Sequence, residues 1–306
     1  MRLREYFKFR KKIRSIKEYY RKMILNLKLY NVFNEYPNEL KVKFIDYGYE
    51  IHFDISGIKD FSAIEKNLEF ISNCFRAYSL KASNDRGKVK LTIYEIPLEE
   101  KRFIKQNLSA YSLLLGYNYD GIITTDMRVS PHLLVSGLSS QGKTGMLRVI
   151  LKNLEGQANI YLCNCFKDDF KGFTELEFIN GNNEILKFLQ EFKKNQFKEH
   201  DRPIYIVLEE LMTLSEDKKI QKLIKEFLCV ARHYNVYIIG LIQVARTEDF
   251  KPKTFFNSRV SFKQMDRSSY SVALGITGDM EELKKREFYS KGSSGLQKGT
   301  TYTLKY

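Results

Sequence analysis

Residues Pro131 to Thr144 read PHLLVSGLSSQGKT, and the rest of the chain takes its meaning from this stretch. His132 to Val135 is a short apolar run of strand type. It meets Gly137, then Leu138, Ser139, Ser140 and Gln141, then Gly142, Lys143, Thr144 and Gly145; a helical apolar pattern follows through Leu147, Val149, Ile150 and Leu154. This is the spacing G-x-x-x-x-G-K-T between a strand and a helix, the setting in which it binds phosphate. Four residues between the glycines let backbone N–H groups curl around a β-phosphate at the helix N-terminus. Lys143 supplies a mobile charge for the β- and γ-phosphates, and the Thr144 hydroxyl is placed to hold Mg²⁺. An ordinary glycine turn needs neither flank, so residues 137–145 are expected to bind ATP with Mg²⁺.

Hydrolysis would need carboxylates at the same end of the sheet. Ile204 to Leu208 is a continuous buried-strand run that ends in Glu209-Glu210. Paired carboxylates at the carboxyl end of a central strand suit an NTPase: one orients Mg²⁺ through water, the other polarises the attacking water. Two glutamates after a strand also begin many solvated helices. Their place a crossover's distance beyond a phosphate loop favours the catalytic reading. Val236 to Ile242 is another core strand, and Gln243 at its end can touch the γ-phosphate or the lytic water; the bland alternative is a surface glutamine at a strand exit.

Composition bounds what surrounds this site. The 306 residues suffice for one large or two modest domains, and 43% hydrophobic with 29% charged residues is a globular balance. A formal charge of +14 favours a polyanionic partner, nucleic acid or a membrane surface, although lysine-rich solubilisation gives the same sum. Cys74, Cys163, Cys165 and Cys229 have neither zinc-site nor framework spacing and read as reduced core thiols, which fits a cytoplasmic protein. The cationic start has no apolar block behind it, so no signal peptide is expected. No run approaches the roughly eighteen apolar residues of a membrane span.

Three segments follow from the patterning: a basic helical lead-in over 1–36, a small α+β domain over 37–97 and a motor domain over 98–306. In the lead-in, Ile13, Ile16, Tyr20, Met23, Ile24 and Leu27 recur at helical spacing among Arg10, Lys11, Lys12, Arg14, Lys17, Arg21 and Lys22. Such a helix could lie on nucleic acid, peripherally on an anionic membrane, or on the next domain with its charges in water. In the small domain, alternation predicts a hairpin of 41–45 with 50–55, then a helix capped by Ser62 with Glu65 as box partner, then strands near 78–82 and 89–94. His52 lies in an alternating strand and reads as structural. Pro97 to Lys105 is a charged linker. Towards the carboxyl end, Arg259 precedes the alternating Val260 to Gln264, Asp266 to Ser271 opens a short helix, and Asp279 to Arg286 is charged.

Strand and helix alternate through the motor segment, so the expected fold is an α/β P-loop NTPase of RecA-like type. Its sheet should be mostly parallel, with nucleotide at the strands' carboxyl ends. On these residues the chain resembles the motor part of the FtsK/SpoIIIE family of DNA translocases, including related ATPases of plasmids and integrative conjugative elements. The resemblance rests on Pro131 to Gly137 running into Gly142-Lys143-Thr144, on Asp120-Gly121 through Asp126, on Glu209-Glu210, on Val236 to Gln243, and on Arg259 to Phe262 with Asp266 to Ser271. The unit over 40–97 is similar to the family's small domain before the motor; the basic start falls outside the resemblance.

The resemblance implies an ATPase ring, usually a hexamer, that moves double-stranded DNA through its channel; conjugative relatives pass single strands. It gives Lys143 and Thr144 the phosphate and Mg²⁺ roles, Glu210 the water-activating role and Gln243 the sensor role. Arg259 or Arg267 would reach a neighbour's γ-phosphate. A relaxase, a replication protein or a membrane-anchored protein would be the partner. Glu209 departs from the family's usual aspartate by one methylene, and Ser139-Ser140-Gln141 replaces a stretch where glycine and threonine are commoner. The membrane helices and the small DNA-reading domain of large cell-division members are not expected here. A different ring NTPase for packaging or strand separation, and an ATP-gated DNA-binding scaffold with weak hydrolysis, are the competing readings.

Overall fold

The computed structural model describes residues 3–37, 40–174, 176–198, 200–243, 254–276 and 280–304. The chain forms two compact units, Met1–Glu99 and Glu100–Tyr306.

The first unit runs α1 (Leu3–Asn26), β1 (Lys41–Ile45), β2 (Gly48–Asp54), α2 (Ser62–Glu65), α3 (Leu68–Phe75), β3 (Ser79–Asp85) and β4 (Lys88–Tyr94). Its antiparallel sheet has the order β1-β2-β4-β3. Alternation in β2 and β4 turns Tyr49, Ile51, Phe53, Val89, Leu91 and Ile93 to one face, where Ile64, Ile71 and Phe75 cover them. The helical stripe of α1 joins that same core: Ile16 and Met23 are fully buried, with Tyr20 and Ile24 beside them. The lead-in helix is thus built into the unit's core, and its charged side faces water. His52 meets Glu50 across 3.3 Å on the sheet surface. The helix expected from Ser62 onward is interrupted. Phe61, not Ser62, holds the cap position and makes no side-chain cap bond, while Asn67 leaves helical geometry and donates its amide to the Ala63 carbonyl at 2.8 Å. A short polar side chain competing for the backbone in this way breaks the run into two.

The second unit runs β5 (Ser112–Asn118), β6 (Gly121–Asp126), β7 (Leu133–Ser136), α4 (Lys143–Leu154), β8 (Asn159–Cys163), β9 (Glu177–Ile179), α5 (Asn182–Gln196), β10 (Ile204–Leu208), α6 (Leu211–Leu214), α7 (Lys218–Val230), β11 (Val236–Ile242), β12 (Ser258–Ser261), α8 (Arg267–Leu274), β13 (Glu287–Gly292) and β14 (Gly295–Thr300). The sheet order among described residues is β6-β5-β14-β13-β12-β7-β11-β10-β8-β9. From β12 to β9 every pairing is parallel; from β6 to β12 every pairing is antiparallel. The sheet is therefore mixed, which corrects the expectation of a mostly parallel one. The cause is local: β5 and β6, and β13 and β14, are joined by two-residue turns, and only antiparallel strands close that tightly.

Side-chain alternation sorts the core into two layers. Leu133, Val135, Tyr205, Val207, Ile239 and Leu241 face α4, whose Met146, Leu147, Ile150 and Leu154 cover them. Leu134, Ile204, Ile206, Leu208, Ile238 and Ile242 face the other way, under Ile185, Leu189, Ile220, Ile224 and Phe227 of α5 and α7. Burying both faces explains why β7, β10 and β11 read as unbroken apolar runs. Among the described residues no helix is long and apolar enough to cross a membrane.

Candidate nucleotide-binding site

The phosphate loop leaves β7 at the centre of the sheet, between β11 and β12. Two of its glycines are required by the backbone. Gly137 has φ 143° and Gly142 φ 127°, and an added Cβ would come 2.7 Å from Phe262 Cβ at the first and 2.9 Å from Phe262 Cε1 at the second. Ser139 and Ser140 are exposed at the crest, Ser140 in the left-handed region at φ 61°, and Leu138, Gln141 and Gly145 are half-buried. The helix begins at Lys143, three residues before the apolar pattern starts at Met146, so the first-turn N–H groups belong to the loop itself.

Lys143 folds back over this loop. Its ammonium donates to the carbonyls of Gly137 at 2.6 Å and Leu138 at 3.0 Å. Burial lowers its pKa, with the Glu209 charge opposing that shift. Thr144 donates its hydroxyl to Glu209 Oε1 at 3.4 Å. This meeting follows from strand geometry: Tyr205 and Val207 face α4, so Glu209, two residues on, emerges on the side of Thr144. The second carboxylate oxygen, Oε2, is buried with no hydrogen-bond partner among the described residues. Burial raises the Glu209 pKa, the Cys165 thiol pulls it down, and the nearby Asp169 charge pushes it up again. Glu210 is exposed in the left-handed region at φ 51°, ahead of the short helix α6.

The two glutamates are thereby separated by direction: Glu209 turns inward to Thr144, and Glu210 turns to solvent. Gln243 is exposed one residue beyond β11, whose Ile242 pairs with Ser136 at the base of the loop. Arg259 lies farther back, paired with Leu134 in the body of the sheet. It is half-buried; its Nε donates to the Phe256 carbonyl at 3.1 Å, and its guanidinium packs on Gly275 at the end of α8. Arg267 is exposed at the first position of α8, which Asp266 caps through the Ser269 N–H at 2.8 Å. Asp279, the start of the charged carboxyl-terminal segment, lies outside the described residues.

Sequence reasoning missed the shell that holds the loop. The Leu138 N–H donates to the Lys263 carbonyl and the Arg286 N–H to the Gln141 carbonyl, each at 2.9 Å. Gln264, 3% exposed, donates its amide to Ser136 Oγ at 3.2 Å and Ser261 Oγ at 2.9 Å, and Ser136 Oγ donates to the Val260 carbonyl. Tyr270 of α8 also receives the Gln264 N–H at its hydroxyl. The signal in the sequence was a glutamine in phase with Val260 and Phe262 of the alternating stretch, a position that calls for buried partners. Cys165, 2% exposed, is the core thiol expected, but nothing in the sequence placed it beside Glu209.

No protein-family model and no curated protein matches the sequence. Solved structures do. The conjugation coupling protein TcpA of pCW3, in monomer form with ATPγS, superposes with a TM-score of 0.59 at 16% identity over 93% of this chain and 94% of that one. The fold is that of known P-loop ATPases. ATPases 2 and 3 of EccC from Thermomonospora curvata, in complex with a signal sequence peptide, give 0.56 at 14% identity over 86% of this chain. ATPases 2 and 3 of EssC from Geobacillus thermodenitrificans give 0.56 at 16% over 82%. The chain spans 53% of that EccC structure and 52% of the EssC one. The site described above therefore sits on an ATPase fold, in the position where such folds bind nucleotide.

Proposed function

We propose that the chain is an ATPase motor of the FtsK/SpoIIIE type that hydrolyses ATP to move DNA, working as a homo-oligomeric ring. One observation carries the catalytic part: the half-buried Glu209, whose buried Oε2 has no hydrogen-bond partner among the described residues, faces Thr144 Oγ1 at the mouth of a phosphate loop. A half-buried carboxylate with a spare oxygen beside a threonine hydroxyl is a donor set suited to a hard divalent cation, so Thr144 and Glu209 fit Mg²⁺. A bound Mg²⁺ would supply neutralisation of charge on the phosphates. The chain's own groups do the rest. Backbone N–H groups of residues 138–144 cradle the phosphates, Lys143 exchanges its two carbonyl acceptors for phosphate oxygens, and Glu210 accepts the proton of the attacking water. Gln243 positions that water or the γ-phosphate.

The DNA part rests on different support. The fold it shares with a conjugation coupling protein and the formal charge of +14 both favour a polyanionic cargo. The likeness to an EccC structure holding a signal peptide supplies the alternative of a protein cargo. Steady-state ATP turnover should be measured alone, with long duplex DNA and with single strands. Stimulation of several-fold or more by DNA is expected, the preferred form identifying the cargo. Full turnover indifferent to both would leave an ATPase but remove the DNA motor, and absence of Mg²⁺-dependent turnover under all conditions would leave an ATP-gated scaffold.

A further inference from the structure

We propose that the first unit carries a docking surface for an anionic lipid bilayer, made of the outward face of α1 and the apolar tip of the turn behind it. The turn is held out by its own bonds. Asn31 accepts the N–H groups of Phe33 at 2.9 Å and Glu35 at 3.0 Å through its side-chain oxygen and donates its amide to Glu35 Oε2 at 2.6 Å. Both ends are anchored in the unit, by the fully buried Leu29 and by Tyr20, whose hydroxyl donates to the Pro37 carbonyl at 3.2 Å. The result is a closed loop whose tip displays Val32 at 91% and Phe33 at 80% exposure. Leu25, on the last turn of α1, is exposed at 58%.

Basic side chains outnumber acidic ones here, with Glu18 on α1 and Glu35 in the turn as the exposed acids among the described residues. Lys8, Lys11, Arg14, Lys17 and Arg21 are exposed along about 20 Å of helix. Glu18 on the same face is matched by Lys22 at 2.9 Å. The apolar side of α1 is consumed by the unit's own core, so this helix cannot enter a bilayer sideways as a free amphipathic helix does. It can lie against headgroups through its basic face while Val32 and Phe33 reach the acyl boundary. Stable peripheral attachment takes two signals, and a polybasic patch with an apolar insertion is such a pair. Duplex DNA would answer the charge, but its phosphates offer nothing to Val32 and Phe33, and apolar wedges enter DNA only by unstacking bases. The apolar tip decides for lipid.

The chain contains no tryptophan, so Phe33→Trp gives a single reporter in the full-length protein. With vesicles of phosphatidylcholine and phosphatidylglycerol, its emission should shift to the blue and be quenched by brominated acyl chains; with phosphatidylcholine alone neither should occur. Val32→Ser/Phe33→Ser should lower affinity for the anionic vesicles by ~10-fold or more. Arg14→Gln/Lys17→Gln/Arg21→Gln should lower it on the order of 100-fold and flatten its salt dependence. Thermal melts matching the parent protein keep these readings clear of misfolding, since every altered side chain is exposed. Indole emission from the Phe33→Trp protein that stays unquenched in the presence of anionic vesicles overturns the proposal. So does a loss confined to duplex-DNA affinity, which would make this a nucleic-acid surface, or one confined to self-association in sedimentation, which would make it a contact between copies.

Discussion

At the scale of single residues, the site predicts distinct phenotypes for neighbouring side chains. Lys143→Ala removes the half-buried ammonium proposed to leave the Gly137 carbonyl for phosphate, so ATP turnover should fall ~10²-fold or more, measured by phosphate release at saturating nucleotide. Glu209 and Glu210 should separate by assay. Glu209→Gln keeps the bond to Thr144 within reach but discards the charge, and should raise the Mg²⁺ concentration needed for activity. Glu210→Gln should leave nucleotide bound and unhydrolysed, because its amide cannot take a proton. Interchanged effects would reverse the two roles. His132 makes a prediction about stability instead. It enters β7 in the left-handed region at φ 62°, its Nδ1 accepts the Ile238 N–H at 3.0 Å, and burial pushes its pKa down to about 4. The unfolded chain binds this proton from about pH 6.5 downward and the folded chain only near pH 4. The neutral imidazole's contribution is thus whole above pH 6.5 and is lost as pH falls through that window, a change of about 3 kcal/mol. His132→Asn tolerates the backbone angle and keeps an acceptor without titrating, so denaturant melts between about pH 7 and pH 4 should show a shallower loss in the variant.

At the scale of elements, the phosphate loop is seated in a frame, and the frame is Phe262 to Gln264 just beyond the end of β12. Phe262 occupies the space that side chains at 137 and 142 would need, Lys263 takes the Leu138 N–H, and Gln264 ties Ser136 to Ser261. Gln264→Leu would leave two buried hydroxyls without their donor and should cost about 1–3 kcal/mol of stability. Adding Ser136→Ala should cost less than the sum of the two single changes, since they remove one shared bond, and a weaker affinity for a fluorescent ATP analogue should accompany the loss. This frame marks the limit of what the sequence could disclose. The loop, β7, α4 and β10 were legible because each is a local pattern: a glycine spacing, a 3.6-residue stripe, and an apolar run whose alternation sends Glu209 to Thr144. The joining of the two antiparallel hairpins was not, because Thr300 pairs with Tyr117 across most of the unit and alternation names a face, never a partner. For the same reason Arg286, whose N–H holds Gln141, looked like one more charge in a charged segment. The break between α2 and α3 was missed because the Ser62 and Glu65 spacing promised a cap that Phe61 occupies instead.

At the scale of the whole molecule, the question is what would complete the site in the proposed ring. Glu210 and Gln243 are exposed, so the nucleotide would sit at a surface that a second subunit could close. In a cyclic assembly the closing subunit supplies a cation to the γ-phosphate, and sequence leaves Arg259 and Arg267 as candidates. Their surroundings differ in a way that bears on the choice. Arg259 is half-buried, spends its Nε on the Phe256 carbonyl and packs its guanidinium on Gly275, an arrangement that supports α8 within its own chain. Arg267 projects from the first turn of α8 into solvent, with Asp266 occupied by the cap and by Ser268 at 2.6 Å. Arg267 is therefore the expected trans residue. Turnover per subunit should rise with protein concentration, and DNA should steepen that rise. Mixing then assigns the role. A Lys143→Ala subunit cannot hydrolyse but still presents Arg267, so it should restore activity to an Arg267→Ala subunit that is inactive among its own kind. Arg259→Ala should instead lower the melting temperature and lose activity in proportion to unfolding, with no rescue on mixing. If Arg259→Ala is the variant rescued while Arg267→Ala retains full turnover, the assignment is reversed. A monomer that hydrolyses ATP at full rate at every concentration, with DNA present, removes the ring.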